Sequence, residues 1–166
     1  TELSSCETAP ITLQTPPPKL PIDWIDNDVD LLDACQRWQN KSFLAIDTEF
    51  ERVKTFYPIL ALIQVCDGER IALIDAPIIK NWQPFSALMQ DESVTKVMHA
   101  ASEDLETLYQ TCACEPKRFY DSQSALAFLN QGLSVGYAAL VAQTFGVTIS
   151  KDAARTDWLA RPLSAV

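Results

Sequence analysis

The sequence predicts an α/β domain built on a mixed β-sheet covered by helices, and three observations carry that prediction. The first half contains three apolar, β-like runs, two of them joined by a hairpin signal. The second half alternates short buried strands with amphipathic helices, which is the pattern of βαβ units. The composition, 166 residues with 48% hydrophobic and 21% charged, is that of one domain with a core of its own, because a disordered chain has too little apolar surface to bury. An antiparallel opening followed by parallel units gives a mixed sheet.

Residues 1–21 hold five of the ten prolines, Pro16, Pro17 and Pro18 in succession, and no apolar period. They read as an extended arm outside the core. A short β-like run, Ile22 to Ile25, precedes Asp26 and Asn27, which can cap a helix whose apolar face is Leu31, Leu32, Cys35 and Trp38. The acidic cluster Asp23, Asp26, Asp28, Asp30 and Asp33 suits a helix start and a solvated face and is given no chemistry. Strands follow at Phe43 to Ile46, Ile59 to Val65 and Ile71 to Ile74, the last two joined through Asp67-Gly68, the strongest short hairpin signal. Beyond them Trp82 to Met89 reads as a helix, Lys96 to His99 as a buried strand, Ser102 to Cys112 as a helix and Arg118 to Tyr120 as a strand. Helices over Ser122 to Asn130 and Tyr137 to Phe145 complete the pattern.

Composition narrows the chemistry. One histidine excludes His-rich zinc sites, and the five cysteines lack the paired spacing of a zinc ribbon or a disulfide scaffold. Any metal here is expected on oxygen. No run approaches the ~18 apolar residues of a membrane span, and the N-terminus lacks the basic and apolar regions of a signal peptide, so a cytoplasmic location with reduced thiols is expected. A net charge of −9 argues against holding nucleic acid by bulk positive charge, but leaves room for an enzyme whose carboxylates meet phosphates through a divalent cation.

The most informative stretch is Phe43-Leu-Ala-Ile-Asp47-Thr-Glu49-Phe50, an apolar run ending in two carboxylates spaced i, i+2. On a strand that spacing puts both side chains on one face, where they repel unless a cation or proton intervenes. Strand-end surface charge would look the same. Asp104 stands in the first turn of a helix that Ser102 is placed to cap, and Asp121 follows a short strand as a candidate N-cap.

Taken together, Ile46-Asp-Thr-Glu-Phe50, Tyr57-Pro58 with Leu62-Ile-Gln64, His99-Ala-Ala-Ser-Glu-Asp-Leu-Glu106, Asp121-Ser-Gln123 and Arg155-Thr-Asp-Trp-Leu-Ala-Arg-Pro162 resemble the ribonuclease D family. Its members are DEDD-superfamily 3′-to-5′ exonucleases with a ribonuclease H-like fold. The resemblance runs from residue 22 to the end in the family's order. It implies that residues 22–166 are an exonuclease domain in which Asp47, Glu49 and Asp104 are the catalytic carboxylates and ligands of two Mg²⁺ or Mn²⁺ ions. His99, Asp121 and Gln123 would lie just around them. The implied substrates are RNA 3′ ends, structured RNA such as transfer-RNA precursors included. The family's third motif, Tyr-x-x-x-Asp, lies beyond the Asp-Trp-Leu-Ala-Arg-Pro run and is not reached by Val166, so the domain is expected to be incomplete at its C-terminus and impaired as it stands.

Two metals roughly 3.5–4 Å apart activate a water and stabilise the leaving oxygen in such hydrolysis, and hard carboxylate oxygens suit them. His99, at the end of a buried strand, is expected to make structural hydrogen bonds. Lys151, Arg155 and Arg161 are expected to contact phosphates of the nucleic acid or to pair with Asp152 and Asp157, with Arg52 and Lys54 as weaker candidates. Trp158 packs against the core or stacks on a base, and Cys112 and Cys114 are inert thiols. Two other functions fit the same residues: a DNA 3′-to-5′ exonuclease, and a noncatalytic RNA-binding or interaction module on the same fold.

Overall fold

The strand that carries the paired carboxylates lies inside a six-stranded sheet and not at its rim. The computed structural model describes residues 19–52, 55–149 and 157–163. In chain order the elements are β1 (Ile22–Ile25), α1 (Asp28–Trp38), β2 (Phe43–Glu51), β3 (Ile59–Cys66), β4 (Ile71–Asp75), α2 (Gln83–Gln90), β5 (Thr95–Met98), α3 (Ser102–Cys112), β6 (Phe119–Asp121), α4 (Ser122–Phe128) and α5 (Tyr137–Phe145). The sheet order is β1-β4-β3-β2-β5-β6. The β2–β3 and β3–β4 pairs are antiparallel, and β1–β4, β2–β5 and β5–β6 are parallel. This is the expected mixed α/β sheet. The proline-rich arm lies outside the described residues except at its end, where the Pro21 carbonyl accepts from the Ile71 N–H.

Local chemistry explains the boundaries. Asn27 caps α1 by accepting from the Asp30 N–H, as expected, while Asp28 accepts from the N–H groups of Lys80 and Asn81 and so ties α1 to the chain ahead of α2. Gly68, at φ +88°, makes the β3–β4 turn, and the Asp67 carboxylate accepts from the N–H groups of Glu69 and Arg70. β2 runs to Glu51 and does not stop at Ile46, because β3 supplies backbone partners as far as Glu51↔Ile59. The polar residues that looked like a strand end are inside the ladder. The helix expected over Ser122–Asn130 ends at Phe128, and Asn130 turns the chain at φ +58°.

The two faces of the sheet differ. One presents Leu44, Ile46, Ile63, Val65, Ala72, Ile74 and Met98, all buried beneath α1, α2 and α3. Lys96 is on this face too, wholly buried, with its ammonium donating to the Asp91 and Val94 carbonyls. The other face presents Trp24, Phe43, Ala45, Asp47, Gln64, Cys66 and Val97, which are exposed or half-buried. Leu62 and Asp75 on this face are buried. There the 157–163 segment crosses it, and every N–H of Arg161 is engaged. Nε donates to both Asp75 oxygens (3.0 and 2.9 Å), Nη2 to Asp75 Oδ1 and the Ala61 carbonyl, and Nη1 to the Trp158 and Ala160 carbonyls. No helix among the described residues is long and apolar enough to cross a membrane.

Removing the guanidinium would strand the Asp75 carboxylate, which is only 2% exposed. Arg161→Ala is therefore expected to lower stability by about 3 kcal/mol in urea denaturation, while Arg161→Met with Asp75→Leu recovers most of the loss. An unchanged urea midpoint for Arg161→Ala would show that the contact contributes nothing.

Candidate active site

β2 aims its side chains alternately to the two faces. Leu44, Ile46 and Thr48 go into the core, and Ala45, Asp47 and Glu49 onto the open face. The ladder opposes Asp47 to Gln64 and Glu49 to Leu62, and a register irregularity between Glu49 and Phe50 bends the strand just beyond the second carboxylate. Asp104 arrives from the first turn of α3. It is 8% exposed, and its Oδ1 accepts the Thr48 hydroxyl at 2.5 Å. Thr48 is the member of this site that sequence reasoning missed. Its signal was present, a hydroxyl of opposite parity between two acids, but it points to Asp104 only once α3 is known to lie under β2.

The three carboxylates act on one another. Partial burial raises the Asp47 carboxyl above its ordinary range and the Asp104 charge raises it further, against the Thr48 N–H and the charge of His99. Burial and then the charges of Asp47 and Asp104 push Glu49 up to about 7. Asp104 is raised by burial and lowered in part by the Thr48 hydroxyl. The donor set, all carboxylate oxygen and short of positive charge, fits a hard divalent cation in kind. It is not a closed cage: among the described residues no three His, Cys, Asp or Glu side chains come together closely enough to hold a metal ion by themselves. Thr48 draws Asp104 toward the opposite side of β2.

The surrounding residues hold the frame. Asp121 caps α4 by accepting from the N–H groups of Gln123 and Ser124, and also accepts from those of Ala100 and Ala101. Burial would raise its carboxyl, but these N–H groups outweigh it and hold it low. They also stabilise Ala100 in a left-handed turn, φ +56°, at the junction that delivers α3 and Asp104. This replaces the cap expected from Ser102, which is already helical, with no side-chain cap at Ala101. His99 lies 2.9 Å from Ser122 Oγ through Nδ1 and 2.9 Å from the Val135 carbonyl through Nε2, edge-on to Tyr137. A carbonyl only accepts, so Nε2 carries a proton. Gln123 donates to the same carbonyl. A cavity of about 370 Å³ opens here, lined by Asp47, Gln64, Met98, His99, Ser122 and Tyr137. A wider groove of about 640 Å³ at the β1 edge contains none of the motif residues.

The basic residues divide. Arg161 was expected to reach a phosphate or to pair with Asp152 or Asp157, but its donors are all committed to Asp75 and three backbone carbonyls, so none remains for a ligand. Arg52 donates to Glu106 at 2.9 Å, with Glu103 at 3.9 Å, fastening the end of β2 to α3. Lys151, Arg155 and Lys54 lie outside the described residues. Trp158 is half-buried.

The raised carboxyls give a signed pH dependence. A folded-state value above the unfolded one adds stability below the ordinary Glu value of 4.5 that is lost as pH rises through about 7. With divalent cations chelated, the wild-type urea midpoint is expected to fall across that window. Glu49→Gln should flatten the fall by on the order of 2 kcal/mol. A wild-type midpoint that rises between those pH values would contradict the electrostatic assignment.

Residues 22–165 match the family described as 3′-5′ exonuclease. The chain is 44% identical over 143 residues to ribonuclease D of Pseudomonas paraeruginosa, covering 86% of this chain and 38% of that protein. It is 44% identical over 140 residues to ribonuclease D of Escherichia coli K12, covering 84% and 37%. The crystal structure of Escherichia coli RNase D, described as an exoribonuclease involved in structured RNA processing, superposes with a TM-score of 0.84 at 42% identity, over 87% of this chain and 39% of that one. The chain thus spans less than two-fifths of the length of these relatives. With its mixed sheet, its paired strand carboxylates and these matches, the chain belongs to the 3′-5′ exonuclease family and is of ribonuclease D type.

Proposed function

We propose that this chain is a metal-dependent 3′-to-5′ exoribonuclease domain that hydrolyses phosphodiester bonds at RNA 3′ ends, with structured RNA, transfer-RNA precursors among it, as substrate and the cytoplasm as its place of action. The observation that carries this reading is the placement of Asp47 and Glu49 on the open face of β2 with Asp104 close enough to raise both. Asp47, Glu49 and Asp104 would hold Mg²⁺ or Mn²⁺. Such an ion activates water and stabilises the departing 3′ oxygen.

The chain's own residues do the rest. Asp47 and Glu49 concentrate negative charge where a cation is needed to bring a polyanion to a protein of net charge −9. Thr48 fixes one Asp104 oxygen, and Asp121, through the Ala100 and Ala101 N–H groups, fixes the helix start from which Asp104 projects. His99 and Ser122 line the cavity wall beside Asp47, and Gln123 donates to the Val135 carbonyl that His99 also reaches. Lys151 and Arg155 are the cations assigned to the phosphates of the bound strand.

A second reading, an RNA-binding module without catalysis, is favoured by one observation: the carboxylates do not close into a group of three metal ligands among the described residues. The two separate in a time course on 5′-labelled single-stranded RNA and DNA with Mg²⁺ or Mn²⁺, run beside Mn²⁺ binding followed by electron paramagnetic resonance. The expected result is RNA shortened one nucleotide at a time from the 3′ end, at the impaired rate expected of the domain as it stands. Asp47→Asn should lower the rate at least 10²-fold and weaken Mn²⁺ binding together with it. RNA bound but never shortened selects the noncatalytic module, and shortening confined to DNA selects a DNA exonuclease.

A further inference from the structure

We propose that Phe56 and Tyr57 form a stacking platform for the bases of single-stranded RNA approaching the active site, an assignment that rests on the exonuclease reading. Phe56 is 79% exposed and Tyr57 is 51% exposed, and their rings meet edge to face at 4.9 Å. A scattered exposed aromatic is ordinary, but two adjacent ones in contact present a large apolar area that the fold leaves in solvent. The turn is also held in shape. The Thr55 hydroxyl donates to the Tyr57 carbonyl at 2.7 Å, and Pro58, which follows, is buried. The rings are therefore presented at small further entropic cost on binding.

Their position connects them to the reaction. They sit in the hairpin that joins β2 to β3, closed by Glu51 opposite Ile59. Tyr57 is two residues from Ile59, and that rung is two residues from Glu49. At about 3.4 Å per strand residue, the platform lies within ~15 Å of Glu49, close enough for the nucleotides upstream of the one being removed. The charge balance calls for such a device. Among the described residues, Arg52 beside this turn is held by Glu106, and the open face carries Asp47 and Glu49, so stacking adds a grip here that does not depend on charge. Stacking on aromatic rings needs no charge and tolerates any base, which suits an enzyme that removes nucleotides whatever their sequence.

The test uses the full 166-residue chain, Ca²⁺ in place of the catalytic ion, and fluorescence anisotropy with two 5′-labelled strands of equal length, an oligoadenylate and an abasic ribose-phosphate oligomer. Wild type is expected to prefer the oligoadenylate. Phe56→Ala with Tyr57→Ala should bind it about tenfold more weakly while binding the abasic strand as wild type does, and Phe56→Trp with Tyr57→Trp should restore the preference. Equal binding of the oligoadenylate by wild type and the alanine variant overturns the platform, and so does an equal loss on both strands, which would show that the rings only hold the turn. Wild type that binds neither strand overturns the exonuclease reading, and the platform falls with it.

Discussion

The register of β2 between its two neighbours is the constraint on which the rest depends. A strand has two faces and a period of two, so the same nine residues supply Leu44, Ile46 and Thr48 to the core and Ala45, Asp47 and Glu49 to the open face. A slip of one residue would drive both carboxylates under α3 and turn the core residues out to solvent. Antiparallel pairing to β3 along Ala45 to Glu51 and parallel pairing to β5 along Phe43 to Ala45 prevent it. Core and chemistry are therefore specified by one set of backbone hydrogen bonds.

Charge on the open face is treated in two ways. Glu49, Leu62 and Asp75 share a row across β2, β3 and β4. At one end Asp75 is buried and matched in full by a guanidinium, which makes it part of the scaffold. At the other, Glu49 is partly buried and stands with Asp47 and Asp104, with no cationic side chain against it among the described residues, so its proton affinity rises. Burial and mutual repulsion destabilise this end of the sheet, and the Thr48 hydroxyl and the Asp121-held turn offset part of that. A fold that leaves such repulsion standing beside a fully paired carboxylate holds the unpaired ones available for an external cation.

Much of this was legible in the sequence, and what was not has a physical reason. Parity alone placed Asp47 and Glu49 on one face, capping chemistry found Asn27 and Asp121, and Asp67-Gly68 announced its hairpin. The contribution of Thr48 was hidden because its partner comes from another element. The run Lys96 to His99 read as a buried strand, but the acceptors that let the Lys96 ammonium itself be enclosed were hidden, since they are the carbonyls of Asp91 and Val94, which exist for every residue type. The partner of Arg161 was hidden for a related reason. Acids adjacent in sequence looked like its partners, whereas folding brings it to Asp75. The Lys151 and Arg155 expectations fall outside the described residues.

The Arg161 contact also bears on the order in which the chain can assemble. Its fork closes loops of 86 residues to Asp75 and 100 residues to Ala61. Closing so long a loop is entropically unfavourable until β3 and β4 are already paired, because only then do both acceptors stand at fixed positions. The 157–163 segment is consequently the late-docking piece of this sheet, and in the native state it is the piece whose release disturbs the ladder least. Release would bare the Asp75 carboxylate and the Ala61 carbonyl while leaving the β2–β3 rungs intact. The floor of the carboxylate row thus has an opening free energy of its own, set by a single side chain and separable from the stability of the domain.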